Sequence, residues 1–123
     1  MRKLLTIICL FIFLTGCGST KDTITMSNKA KSCGEQALEI SNQYLSGDAS
    51  YDETHSKLEA LSNDMKYVNE QDFNDPNHTG DFSISSDILV IMSSLTSEHY
   101  SNDSQSYDEL LKNVNNLEED LKR

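Results

Sequence analysis

Tryptophan is absent from this sequence of 123 residues, proline occurs once and glycine five times. So small a supply of turn-forming residues does not suit a β-sandwich or barrel, which needs many tight turns. It suits helices joined by few connections. Positive charge is also scarce: 10 Lys and Arg stand against 20 Asp and Glu, a formal net charge of −10. A surface of that sign repels nucleic-acid phosphate and anionic headgroups, which removes nucleic acid as a direct partner. It leaves three readings open: cation capture, a basic protein partner, or plain solvation. The length allows one domain and no more. Missing too are a G-x-S-x-G turn, a phosphate-cradling glycine loop and any pair of histidines at zinc-binding i, i+4 spacing. His55, His78 and His99 fall on separate segments. Nothing here points to an enzyme, a cofactor or a bound metal.

The chain also lacks an apolar run long enough to cross a bilayer. Its longest, Leu4 to Leu14, has about 11 residues, where a spanning helix needs roughly 20. Arg2 and Lys3 precede it, and the small residues Thr15 and Gly16 follow. This order of charge, short apolar run and small residues is that of a secretory signal peptide. The next residue is a cysteine, and Leu14-Thr15-Gly16-Cys17 resembles the lipobox of bacterial lipoproteins. The resemblance covers residues 1 to about 20. It implies cleavage between Gly16 and Cys17 and a diacylglyceryl group on the Cys17 sulfur. The protein would then sit outside the cytoplasm, lipid-anchored to the cell membrane or the outer membrane. Two acyl chains suffice for stable anchoring, whereas one gives reversible binding. The organisation expected is a signal peptide over 1–16, a lipidated cysteine with a flexible tether over 17–27, and a helical domain over 28–123. The mature chain would carry 8 basic and 20 acidic residues, a charge of 8 − 20 = −12. Of the three cysteines, Cys9 leaves with the signal and Cys17 is acylated. Cys33 remains without an intrachain partner, and it is buried, free or paired between molecules. Its place on an apolar helical face favours burial.

Four periodic segments follow. In the first, Asn28 to Leu45, Ala30, Cys33, Ala37, Ile40 and Tyr44 recur every three or four residues, which is one face of a helix. Ser32 and Glu35 have capping-box spacing and offer an alternative start. Gly47 can close the helix in the left-handed conformation. A second helix opens at Ser50-Tyr51-Asp52-Glu53, with Leu58, Leu61, Met65 and Val68 on its inner face. Asn69 to Ser83 reads as an irregular loop, being rich in Asp, Asn, Pro and Gly. The third helix is expected from about Ser85 to Tyr100, striped by Ile84, Ile88, Ile91 and Leu95. Leu89, Val90 and Met92 carry its apolar surface most of the way round. The fourth begins at Ser106 and continues through Leu110, Val114, Leu117 and Leu121. Short, long and short connections between helices predict an all-α, up-down-up-down four-helix bundle.

The long loop holds the candidate binding residues: Phe73, Asp75, Asn77, His78, Asp81 and Phe82. Asp75 to Asp81 partly imitates a calcium loop, but the twelfth position is Ser86, where such loops place a bidentate Glu. A polar turn whose Asp and Asn side chains bond their own backbone explains the same residues. The two phenylalanines either form an exposed recognition surface or tuck under the bundle and pin the loop. Two functional classes therefore remain. One is a non-catalytic module that binds another envelope protein through a basic surface. The other is an envelope protein that takes a small molecule or cation between its helices. An exposed apolar patch with a polar rim favours the first. An apolar pocket above about 300 Å³ favours the second.

Acylation gives a direct test. Cys17→Ala is expected to leave the membrane fraction or persist as an unprocessed precursor. Intact mass of the mature wild type should show the lipid on Cys17, and a bare thiol there would refute the anchor.

Overall fold

The computed structural model describes residues 23–101 and 103–123. The charged start, the apolar run and Cys17 lie outside the described residues. Four helices follow in order: α1, Asn28–Leu45; α2, Tyr51–Asp64, continued by a 3₁₀ turn, Lys66–Glu70; α3, His78–Ser101; and α4, Ser104–Asp120. Among the described residues there is no strand, and no helix is long and apolar enough to cross a membrane.

Each boundary has a local cause. Ser27 caps α1, its hydroxyl accepting from the Ala30 N–H at 3.1 Å, so the start at Asn28 prevails over the one at Ser32. At the other end Gly47 has φ +79°. Its N–H donates to the Tyr44 carbonyl at 2.9 Å and that of Asp48 to Gln43 at 2.8 Å. That is a full Schellman closure, open to glycine without strain. Ser50 caps α2, accepting from the Glu53 N–H at 3.3 Å. The cap of α4 is Asp103, which accepts from the Ser106 N–H at 2.7 Å. Ser106, where the sequence places the start of this helix, is therefore not its cap. It is buried in the first turn and takes a hydrogen bond from Ser101 at 2.7 Å.

The largest departure from the sequence reading is α3, which starts at His78 rather than near Ser85. Asp75 makes an Asx turn, its carboxylate accepting from the Asn77 N–H at 2.8 Å. The Asp81 N–H then donates to the Asn77 carbonyl at 2.9 Å, and the helix is under way. The turn formers are real, but they initiate a helix.

Contacts at the helix ends fix the directions. Ser27 meets Asp81 and Tyr44 meets Glu98, so α1 and α3 run parallel. Tyr51, at the start of α2, meets Thr96 near the end of α3. Ser83, near the start of α3, meets Asp120 at the end of α4. The bundle is up-down-up-down, with unequal diagonals: α3 packs on all three other helices, while α2 and α4 do not meet. The core is continuous. Leu58 and Met65, Ile84, Ile88, Ile91 and Leu95, and Leu110, Val114 and Leu117 are all 0–1% exposed. Ala30, Cys33 and Ala37 complete it from α1. Small residues let α1 approach closely: a Cβ on Gly34 would lie 2.8 Å from Leu121 Cδ2 and 3.1 Å from Ile84 Cγ2. Cys33 is buried and unpaired. Burial, followed by the Asp64 carboxylate, pushes its thiol pKa up, which keeps it an unreactive small hydrophobe.

Leu89 and Val90 do not widen the buried stripe of α3; they are 53% and 45% exposed. Ile91→Ala and Leu61→Ala, by contrast, each remove a buried side chain. Each is expected to lower stability by about 2–5 kcal/mol, read by urea unfolding. Near-zero cost at both would contradict this packing.

Candidate functional site

The six loop residues divide into two groups. Phe73, His78 and Phe82 gather at the surface, with ring centroids 4.7 Å apart for Phe73 and His78 and 6.2 Å for His78 and Phe82. Phe73 is 87% exposed and Phe82 56%, so neither tucks under the bundle. His78 reaches both because it opens α3, one turn before Phe82.

Asp81, Asp75 and Asn77 are structural. Asp81 is fully buried and its carboxylate faces inward. It accepts from the Ser27 N–H at 2.7 Å, from the Tyr67 hydroxyl at 2.9 Å and from Gln71 Nε2 at 3.4 Å. Ser27 Oγ lies 3.1 Å from the Tyr67 hydroxyl, and Lys29 Nζ sits 4.5 Å from the centre of the Tyr67 ring. Burial, with the neighbouring Asp81 carboxylate, pushes the Tyr67 phenol up, so it remains a donor. Asp75 and Asn77 shape the turn described above. Their oxygens and the Asp81 carboxylate do not converge as a calcium loop requires. Among the described residues no group of three or more His, Cys, Asp or Glu side chains is placed to hold a metal ion.

Residues 23–27, expected as the second half of a flexible tether, are instead fastened across this end of the bundle. Thr25 Oγ1 donates to the Pro76 carbonyl at 2.6 Å, and Met26 packs on the core. The strap passes so close to α3 that a Cβ on Gly80 would lie 2.2 Å from the Thr25 carbonyl oxygen. Only glycine leaves that space.

Two further features of the surface were not legible in the sequence. The outer side of α3 exposes Phe82, Leu89 and Val90. Beside Phe82 and Leu89 is a hollow of about 240 Å³, walled also by Ser62, Lys66 and Asn69. Larger hollows of about 430 and 450 Å³ exist, with Leu38 among Glu35, Glu39, Asn42 and Gln43 in the one, and Ile40, Ala60 and Leu61 among Gln36, Glu39, Lys57 and Asp64 in the other. At the opposite end of the bundle Tyr51 and His99 stack with centroids 3.9 Å apart, and Tyr100 meets both edge-on. There Tyr44 donates to Glu98. Burial first, and that bond second, push its phenol up to about 12. The contacts of Tyr51 with His99 and Tyr100, and of Tyr44 with Glu98, join residues more than 40 positions apart, and no local pattern reveals them.

No protein-family model matches the chain, and neither does any curated protein or solved structure. The reading of the site therefore rests on its own chemistry.

One carboxyl group is held in an unusual state. Asp87 faces Asp120 across the α3–α4 contact. Desolvation, followed by the Asp120 charge, raises its pKa to about 7. One of its oxygens, Oδ2, is buried with no hydrogen-bond partner. Asp120 is already satisfied by Ser83 and by Arg123 Nη1 at 3.1 Å. A neutral Asp87 removes the repulsion and supplies a donor. Because the folded pKa is raised, this contribution to stability is complete below the ordinary carboxyl pKa near 3.9 and is lost as pH rises through about 7. The wild-type melting temperature should therefore fall between pH 5 and pH 8. Asp87→Asn, neutral throughout, should flatten that slope and be the more stable at pH 8. An identical slope in the variant would refute the assignment.

Proposed function

We propose that this protein is a lipid-anchored, extracytoplasmic module that binds another envelope protein and carries out no catalysis. The lipobox-like Leu14-Thr15-Gly16-Cys17 supports the anchor. The observation that supports binding is the outer side of α3, where Phe82, Leu89 and Val90 stay in water although the core has no need of them. Apolar side chains exposed along one side of a helix are a feature of contact surfaces. Lys66, Asn69 and the small hydroxyls of Ser85 and Ser86 rim Phe82 and Leu89. That is an apolar centre with a polar edge.

Partner chemistry follows from charge. The expected mature charge of −12 favours a basic surface and an association that weakens as salt rises. A small-molecule function draws less support. The hollow beside Phe82 and Leu89 is about 240 Å³, below the size of ordinary ligand sites. The larger hollows are open at the surface and mix apolar side chains with charged and amide groups.

The test replaces the exposed side chains and spares those that hold the fold. Phe82→Ser with Leu89→Ser should keep the helical circular dichroism spectrum. It should also lose, in capture from an envelope extract at low salt, a partner that the wild type retains. A folded double variant that keeps every wild-type partner would refute this surface.

A further inference from the structure

The strap decides which end of the bundle faces the membrane. Thr25 bonds the loop that carries Phe73, through the Pro76 carbonyl. Thr23 and Ile24 line a hollow with Lys31, Leu121 and Arg123, at the junction of the start of α1 and the end of α4. The chain therefore leaves the domain at the end holding Ser27, Asp81 and Phe73. Only residues 18–22 separate Thr23 from Cys17. Six Cα–Cα steps reach at most about 20–22 Å when fully extended. The 24 residues of α3 make a rod of about 36 Å. The tether is too short to invert the domain, so the strapped end stays next to the lipid.

Charge points the same way. Lys29, Lys31, Lys66, Lys122 and Arg123 all lie at the strapped end, outnumbered there by acids that include Asp64, Glu70, Asp72, Asp75, Glu118 and Asp120, of which Glu118 pairs with Lys122 and Asp120 with Arg123. The far end carries Asp48, Asp52, Glu53, Glu98 and Asp103. Its nearest lysine is Lys57, in the second turn of α2 and paired with Glu53 at 2.6 Å. An anionic bilayer repels that far end more strongly than the mixed one.

From this placement, and resting on the lipid anchor proposed above, we infer that the bundle stands on the bilayer with Phe73 lodged in the headgroup interface. An aromatic ring 87% exposed on a loop beside the tether gains by leaving water for that layer. The Tyr51–His99–Tyr100 cluster then points away from the membrane. The apolar side of α3 rises from the lipid surface, where it is presented to a partner that is itself embedded in the membrane or lies close to it.

The absence of tryptophan makes the test direct. Phe73→Trp and Tyr100→Trp both alter exposed side chains and give single-indole reporters. Each full-length protein, purified from membranes and checked for the lipid by intact mass, is reconstituted in vesicles containing some anionic lipid and a lipid brominated near the headgroup. Emission at position 73 should shift to the blue and be largely quenched, while emission at position 100 should be unchanged. Lipidated protein with no quenching at position 73, or with equal quenching at both positions, overturns the upright orientation and leaves the anchor intact. An unmodified Cys17 overturns the anchor, and the orientation with it.

Discussion

A single buried carboxylate organises one end of this protein. Asp81 accepts hydrogen bonds from the backbone that caps α1, from Tyr67 in the 3₁₀ turn after α2, and from Gln71 in the following loop. A fully buried carboxylate is tolerated only when its oxygens are satisfied, and leaving its donors unpaired is costly as well. Asp81 and its partners therefore have to be placed together. Several other features depend on that closure: the start of α3 at His78, the tight passage of Thr25 over Gly80, and the course of the chain before α1. The surface group of Phe73, His78 and Phe82 is displayed by the same turn that buries Asp81.

The bundle is polar along its axis in chemistry as well as in topology. The strapped end mixes bases and acids and shows a bare aromatic ring; the far end is acidic and holds stacked tyrosine and histidine. Where α3 meets α4, Asp87 and Asp120 bring two carboxyls together, and burial resolves the conflict by favouring a proton on Asp87. Each of these features is compatible with a fold whose core is ordinary, because aliphatic side chains from α2, α3 and α4 fill it and the small Ala30, Cys33 and Ala37 of α1 close it.

The proposed anchor and the apolar side of α3 would belong to one arrangement. A lipid on Cys17 would confine the domain to a thin layer above the bilayer, and the few residues before the strap would confine its orientation too. A partner in the same membrane would then meet the α3 side without a search through all orientations, which raises its effective concentration. The acidic surface would add selectivity for basic partners.

Much of this architecture was already present in the sequence. Periodicity located α1 and the inner faces of α2, α3 and α4, because burial imposes a spacing of three and four on any packed helix. Ser50 announced its cap, and Gly47 its left-handed turn, because both depend on atoms within a few residues. The all-α bundle and its alternating direction followed from the lengths of the connections. What the sequence misplaced was decided at a distance. Asn69 to Ser83 has the composition of a loop throughout, yet its last six residues are helical, since Thr25 and Ser27, more than 50 positions earlier, fasten Gly80 and Asp81. Asp81 looked like a surface ligand, and tertiary contacts buried it. Leu89 and Val90 looked like core, and the core was already full. Local composition sets what a segment can do; which side of a helix meets water, and which carboxylate finds donors, depends on neighbours that only the folded chain supplies.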